Sequence, residues 1–252
     1  VDELRAGSVN CETRIIAQSC SAQGDALAAN TPQDPPVRAS RSTQPAAVQK
    51  KHSGARNAVR IIGGEWRGRR IHFPAAAELR PTPDRVRETL FNWLQGVIAG
   101  ARCLDLFAGS GALGLEAISR GAREVVFVER DRAVAAALRS SLAALKDTRG
   151  TVLERDAFAF LSGPAERFDV VFLDPPFARG WLSELCTLLE SKGWLAPGAL
   201  VYLETPARAA APALPAEWAL GREMRAGEVR AVLARRRAPE PRADGAERMG
   251  ET

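Results

Sequence analysis

The sequence predicts an α/β fold: a doubly wound, mostly parallel sheet that ends in an antiparallel hairpin and follows a small N-terminal β-hairpin and helix. Three observations carry this prediction. From Ala101 onward, short apolar runs alternate with runs of helical periodicity, a pattern that implies right-handed β-α-β crossovers. Gly109-Ser-Gly-Ala-Leu-Gly114 matches G-x-G-x-x-G between the first of these strands and the first of these helices. Near the end, Trp218 to Met224 and Val229 to Arg235 flank Ala226-Gly227, the signature of a hairpin.

Composition sets the outer bounds. With 252 residues, 46% of them hydrophobic, the chain can bury a substantial core. Its formal net charge of +5, from 35 Lys and Arg against 30 Asp and Glu, suits a polyanionic partner without demanding one. The four cysteines form no C-x-x-C pair and only two histidines could join them, so neither a metal site nor a disulfide framework is expected. Cys103 and Cys186 lie in apolar runs and read as buried thiols. Neither a signal-peptide core nor a run of eighteen apolar residues is visible, so a cytoplasmic protein without membrane contact is expected.

Taken in order, residues 1–57 are rich in Ala, Gln, Ser, Thr and Pro and lack Phe and Trp, which predicts a disordered extension. A basic arm bearing Lys50, Lys51 and Arg56, or a start of translation placed too far upstream, are the alternatives. Residues 58–98 form the N-terminal hairpin and helix. Two β-prone runs flank Gly63-Gly64, read as the hairpin turn. Trp66 among Arg67, Arg69 and Arg70, with Arg60 and Arg85 nearby, offers an aromatic face and guanidinium groups for bases and phosphates. A charged edge strand explains the same residues equally well. Thr82 is the expected N-cap and Pro83 the first helical residue, with Val86, Leu90, Phe91, Leu94 and Ile98 facing a core. Arg80, Arg85 and Arg87 then cluster at the helix start, where cations oppose the dipole unless an anion is near.

Residues 99–237 carry the alternation. Strands are expected at Arg102 to Phe107, Glu124 to Val128, Thr151 to Glu154, Phe168 to Leu173 and Ala199 to Leu203. Helices are expected at Ala112 to Arg120, Asp131 to Leu145 and Trp181 to Ser191, with a short one before Phe168. The polar, Gly- and Pro-containing stretch 238–252 reads as a loose tail.

The glycine turn alone admits several cofactors. It could hold the pyrophosphate of a dinucleotide or the amino-acid part of S-adenosylmethionine. Asp105, just before Phe107 and Gly109, argues for the second, because a carboxylate repels a pyrophosphate but accepts hydrogen bonds from an ammonium. Gly109 and Gly111 shape the turn. Glu129, at the tip of the next strand, is placed for two ribose hydroxyls, and Asp156, at the third, for an adenine amino group, with Ala157 or Phe158 against the ring.

Asp174-Pro175-Pro176-Phe177 is the most specific string in the chain. An apolar strand delivers an acid to its carboxyl end, two prolines stiffen the turn, and an aromatic residue follows. An exocyclic amine on a nucleobase is a poor nucleophile because its lone pair is delocalised. If Asp174 and a backbone carbonyl at Pro175 accept its N–H bonds while Phe177 stacks on the base, the lone pair points at a methyl sulfonium. Alignment of this kind is worth about 7–11 kcal/mol.

Together these residues resemble the class I S-adenosylmethionine-dependent methyltransferases marked by [D/N/S]-P-P-[Y/F/W]. More narrowly, Arg60-Ile-Ile-Gly-Gly-Glu-Trp-Arg-Gly-Arg-Arg70, Arg80-Pro-Thr-Pro-Asp-Arg-Val-Arg-Glu-Thr-Leu-Phe-Asn-Trp-Leu94, Asp105 to Gly114 and Asp174 to Phe177 are similar to the RsmD family. The resemblance implies a Rossmann-like seven-stranded fold and methylation of a guanine N2 amine in bacterial 16S ribosomal RNA. It also implies that Asp105, Phe107, Gly109 and Gly111 shape the methionyl pocket, Glu129 holds the ribose and Asp156 meets the adenine. Arg80, Pro81 and Thr82 would close over the cofactor, Asp174 to Phe177 would hold the guanine, and the partner would be 16S RNA or a small-subunit assembly particle, bound by a monomer. Pro83 and the N-terminal extension depart from the family pattern. The rivals are an adenine-N6 methyltransferase, a nicotinamide oxidoreductase, which fits only the glycine loop, and a non-catalytic RNA-binding assembly factor, which would not need Asp174, Pro175 and Phe177.

Overall fold

The computed structural model of the chain describes residues 56–74 and 82–238. The extension expected at 1–57 and the tail expected at 238–252 fall almost wholly outside the described residues. The first element is an antiparallel pair, β1 (Arg56–Arg60) and β2 (Arg70–Pro74), with Arg60 opposite Arg70. Gly63-Gly64 is not its tight turn. Residues 61–69 make a longer excursion, closed where Ile61 N–H donates to the Arg69 carbonyl at 2.9 Å and Gly68 N–H to the Ile61 carbonyl at 2.8 Å. The excursion exists because it packs on the end of a later helix: Glu65 N–H donates to the Ser119 carbonyl and Trp66 N–H to Ser119 Oγ. At Gly64, which has φ 75°, a Cβ would lie 1.8 Å from the Ser119 carbonyl oxygen, so only glycine permits the approach.

Helix α1 (Asp84–Trp93) begins one residue later than expected. Pro83 occupies the N-cap in an extended conformation and no side chain caps the helix, so Thr82 is free for another role. The main sheet contains β3 (Arg102–Asp105), β4 (Glu124–Glu129), β5 (Gly150–Glu154), β6 (Phe168–Leu173), β7 (Leu195–Pro206), β8 (Trp218–Ala226) and β9 (Val229–Arg236). Helices α2 (Ala112–Ser119), α3 (Arg132–Leu145), α4 (Ala157–Leu161) and α5 (Leu182–Ser191) join its parallel strands. The seven strands run in the order β5-β4-β3-β6-β7-β9-β8, parallel from β5 to β7 and antiparallel across β7, β9 and β8. The chain order reverses at the β3–β6 boundary. A doubly wound sheet opens its ligand crevice at such a point, beyond the carboxyl ends of the strands.

Strand alternation divides the core into two layers. Cys103, Val125, Phe127, Val170, Phe172 and Tyr202 face α1, α2 and α3, whereas Leu104, Val126, Val128, Val171, Leu173 and Val201 face α4 and α5. The first layer sets the glycine of α2: a Cβ at Gly114 would meet the Phe127 ring at 2.1 Å, so the helix lies close on β4. No helix among the described residues is long and apolar enough to cross a membrane.

One buried charge ties the N-terminal elements to this layer. Arg87, expected beside the exposed arginines at the start of α1, is wholly buried. Its Nη2 donates to the Arg60 carbonyl at 2.9 Å and to Asp84 Oδ1 at 2.6 Å, its Nε donates to the Thr82 carbonyl at 3.3 Å, and its Nη1 lies 3.7 Å from buried Glu116 Oε2. Glu116 also accepts from the Ile62 and Gly63 N–H groups and from Arg120 Nε. Removing one partner of such a pair strands the other charge. Arg87→Met is therefore expected to lower the unfolding free energy by about 3–5 kcal/mol in urea titrations. Arg67→Met, at an exposed position, should cost less than about 0.5 kcal/mol.

Candidate active site

The strand ends at the reversal point gather acids around a cleft of about 1230 Å³. Asp105 closes β3, Glu129 closes β4, Asp156 follows β5, Asp174 follows β6 and Glu204 lies near the end of β7, and all five line the cleft. Asp105 has a structural duty as well. The N-cap of α2 is Gly111, at φ 74°, and has no side chain to satisfy the first-turn N–H groups. Asp105 Oδ2 does so instead, accepting from Gly114 N–H at 3.0 Å. The contact leaves its other oxygen, and the residue lines the cleft.

Glu129 holds the loop from the other side. Its Oε2 accepts from Gly109 N–H at 2.8 Å and its Oε1 from Asp131 N–H at 2.7 Å, so each oxygen keeps a lone pair for a hydroxyl group. Asp156 Oδ1 caps α4 through the Phe158 and Ala159 N–H groups, which leaves Oδ2. Phe107 is half-buried in the cleft wall, stacked 6.4 Å from Trp181, and Trp181 in turn meets the Phe158 ring edge-on at 5.3 Å. These acceptors and rings fit a ligand with an ammonium, a ribose and an adenine. They do not fit a pyrophosphate.

The second string reaches the same cleft. Asp174, Pro175, Pro176 and Phe177 all line it, and Phe177, 43% exposed, opens a 3-10 turn over Phe177–Arg179 that Gly180 ends at φ 65°. Thr82, buried, lines it too. Arg80 and Pro81 lie outside the described residues.

The basic hairpin divides into two parts. Arg60, Arg67, Arg69, Arg70 and Arg85 are exposed, and Arg60 lies 3.6 Å from Asp84. Trp66 is only 3% exposed, packed in the core with the Arg149 guanidinium 5.6 Å from its ring, so its face is closed to a base. The tryptophan expected to stack on RNA is the anchor that docks the hairpin.

Burial dominates the electrostatics. It pushes the Asp105 carboxyl up to about 7, opposed by the Gly114 N–H and assisted by Glu129. Asp174 is held well above the ordinary carboxylate range by burial and by the charges of Glu204 and Asp105, with the Thr82 hydroxyl opposing. Glu204 is raised by burial against hydrogen bonds from Tyr202 and Thr82. The sequence reading includes Thr82, as an N-cap and a covering residue, but neither Tyr202 nor Glu204. Glu204 ends the apolar run Leu200-Val-Tyr-Leu, the same signal that marks Asp105 and Asp174.

Comparison with known proteins places these features in context. The family described as Conserved hypothetical protein 95 matches residues 59–235. The chain is 51% identical over 187 residues to Ribosomal RNA small subunit methyltransferase D of Escherichia coli K12, covering 74% of this chain and 94% of that one. The solved structure of yhhF from Escherichia coli has a TM-score of 0.69 at 49% identity and covers 73% of this chain and 100% of its own. The Thermus thermophilus 16S rRNA N2 G1207 methyltransferase RsmC, solved with AdoMet and guanosine, has a TM-score of 0.55 at 25% identity, over 73% of this chain and half of its own.

Burial of the Asp105 carboxyl makes stability depend on pH. An acid whose folded-state pKa is about 7 against an ordinary 3.8 contributes stability that is fully present below the lower value and lost as pH rises through the upper one. The ligand-free protein should therefore melt at a lower temperature at pH 8 than at pH 5. Asp105→Asn, which can still accept from Gly114, should flatten that slope, by up to about 4 kcal/mol. Calorimetry across this range checks it, and an unchanged slope would show that Asp105 is not the source.

Proposed function

We infer the activity from one premise: the chain belongs to the Conserved hypothetical protein 95 family and is an RsmD-family methyltransferase. On that premise we propose that it methylates the exocyclic N2 amine of a guanine in small-subunit 16S ribosomal RNA, free or in an assembly particle, using S-adenosylmethionine. The observation that carries this reading is the convergence of the acid-rimmed glycine turn and Asp174-Pro-Pro-Phe177 on one cleft. Two similar proteins support its finer parts: the Escherichia coli relative is named for small-subunit ribosomal RNA, and the Thermus thermophilus neighbour for a guanine N2 in 16S rRNA, with guanosine bound.

Bound S-adenosylmethionine would supply an electrophilic methyl group on a sulfonium. Asp105 accepts from its ammonium, Glu129 from the ribose hydroxyls and Asp156 from the adenine amine, while Phe107, Gly109 and Thr82 shape the wall and Gly111 turns the chain into α2. Asp174 and the Pro175 carbonyl accept the two amine hydrogens and so aim the nitrogen lone pair. Pro175 and Pro176 keep that acceptor pair rigid, since fixed φ angles leave the turn little freedom. Phe177 stacks on the guanine. On receiving the methyl group that the sulfonium would supply, the amine would become cationic and lose a proton toward Asp174. Arg60, Arg67, Arg69, Arg70 and Arg85 pair with phosphates, and the enzyme acts as a monomer in the cytoplasm.

Isotopically labelled S-adenosylmethionine incubated with small-subunit RNA or particles, followed by nucleoside separation, tests the reading. Label is expected in N2-methylguanosine; label in N6-methyladenosine, or none, would sink it. Asp174→Ala is expected to reduce the rate by about 100-fold or more, given what alignment contributes. A near wild-type rate would discard the mechanism and leave the fold untouched.

A further inference from the structure

Beside the acid that aims the amine stands a second one that the reaction above does not use. Leu173 of β6 pairs with Leu203 of β7, so Asp174 and Glu204 follow as neighbours on adjacent parallel strands, which lie about 4.8 Å apart. Leu173 and Leu203 belong to the layer that faces α4 and α5. Strand alternation therefore turns both acids to the other face, that of Phe172 and Tyr202, and both line the cleft. The strand order also fixes the side of Asp174 on which Glu204 stands. Asp105, Glu129 and Asp156, the acids assigned to the methyl donor, belong to the ends of β3, β4 and β5, on one side of β6, whereas β7 lies on the other. The donor takes the first side, and the base has the second.

Glu204 is 2% exposed, in a place where an unpaired carboxylate is costly. The Tyr202 hydroxyl donates to its Oε1 at 2.6 Å in a buried hydrogen bond, and that contact leaves Oε2. A guanine presents three hydrogens along one edge, two on the N2 amine and one on N1. Asp174 and the Pro175 carbonyl take the pair on N2 in the reaction above, so N1–H needs a further acceptor. Adenine carries no hydrogen on N1, and its lone pair would meet a carboxylate lone pair there, with nothing to offset the burial.

We propose that Glu204 accepts the N1–H of the target guanine and thereby makes the cleft select guanine over purines that lack that hydrogen. This rests on the reaction proposed above and gives it a specificity-determining residue. Burial raises the Glu204 pKa, and hydrogen bonds donated by the Tyr202 hydroxyl and by N1–H oppose that rise by favouring the charged acceptor.

The test uses 2-aminopurine, which keeps the exocyclic amine at C2 but has no hydrogen on N1. Small-subunit RNA is ligated with either guanine or 2-aminopurine at the position that the wild type labels, and the full chain is assayed on both. The wild type is expected to prefer guanine by about 100-fold or more in kcat/KM, as a buried acceptor left unpaired demands. In Glu204→Gln the side-chain carbonyl can take the Tyr202 bond, which turns the amide group toward N1 to donate to 2-aminopurine and to oppose guanine. The preference should then shrink to about tenfold or less, with KM for S-adenosylmethionine within about threefold of the wild type. Glu204→Asp keeps an acceptor and should keep the wild-type preference at a lower rate. The missing O6 of 2-aminopurine is common to every protein compared, so only a change in the ratio reports on residue 204. Equal use of the two RNAs by the wild type, an unchanged ratio in Glu204→Gln, or a glutamine variant that binds S-adenosylmethionine normally but methylates neither RNA would overturn the proposal. A wild type that makes no N2-methylguanosine would sink the reaction and this reading with it, whereas N2-methylguanosine with an unchanged ratio would remove this reading alone.

Discussion

The hydrogen bond from Gly114 N–H to the buried Asp105 carboxylate is the interaction on which the site depends. It joins the last residue of β3 to the first turn of α2 and so fixes the intervening loop. A glycine N-cap leaves those N–H groups without a local acceptor, and a glycine inside the helix brings it against Phe127. Only then does an acid from the strand come within reach. Backbone geometry, helix packing and the negative charge in the cleft are consequences of one arrangement. The cost is an ionisable group held out of water, tolerable when a cationic ligand stands beside its remaining oxygen.

Much of this was legible because the signals were local. The strand and helix alternation, the glycine turn and the acids at successive strand ends all depend on residues within a few positions of one another, and the mostly parallel seven-stranded sheet with its terminal antiparallel hairpin is as expected. The turn at Gly63-Gly64, the exposure of Trp66 and the place of Arg87 were misread for the opposite reason. Trp66 is bonded to Ser119 and Arg87 lies against Glu116, partners that no periodicity within the hairpin or α1 announces. Thr82 was read as a cap because threonine before a helix often is one. Here proline provides the extended entry, no side chain caps the helix, and Thr82 is buried in the cleft wall instead.

Glu116 explains why the N-terminal elements and the cleft behave as one piece. It gathers two backbone N–H groups from the hairpin excursion, the Arg120 side chain and the proximity of Arg87, while Arg87 reaches the carbonyls of Arg60 and Thr82. A charge buried for this purpose stabilises little by itself but admits few alternative packings. The position of Thr82 at the cleft is thereby fixed from behind, through its backbone carbonyl.

Gly64 carries a consequence for how this surface can change over generations. Its α-carbon sits so close to the Ser119 carbonyl that any side chain would push the hairpin off the helix, and Trp66 beside it is locked into the core. The exposed arginines three to six residues farther on meet no such restriction. The loop thus separates a frozen footing from a free tip. Its outward chemistry can drift toward a different contact surface while the anchor beneath stays in place.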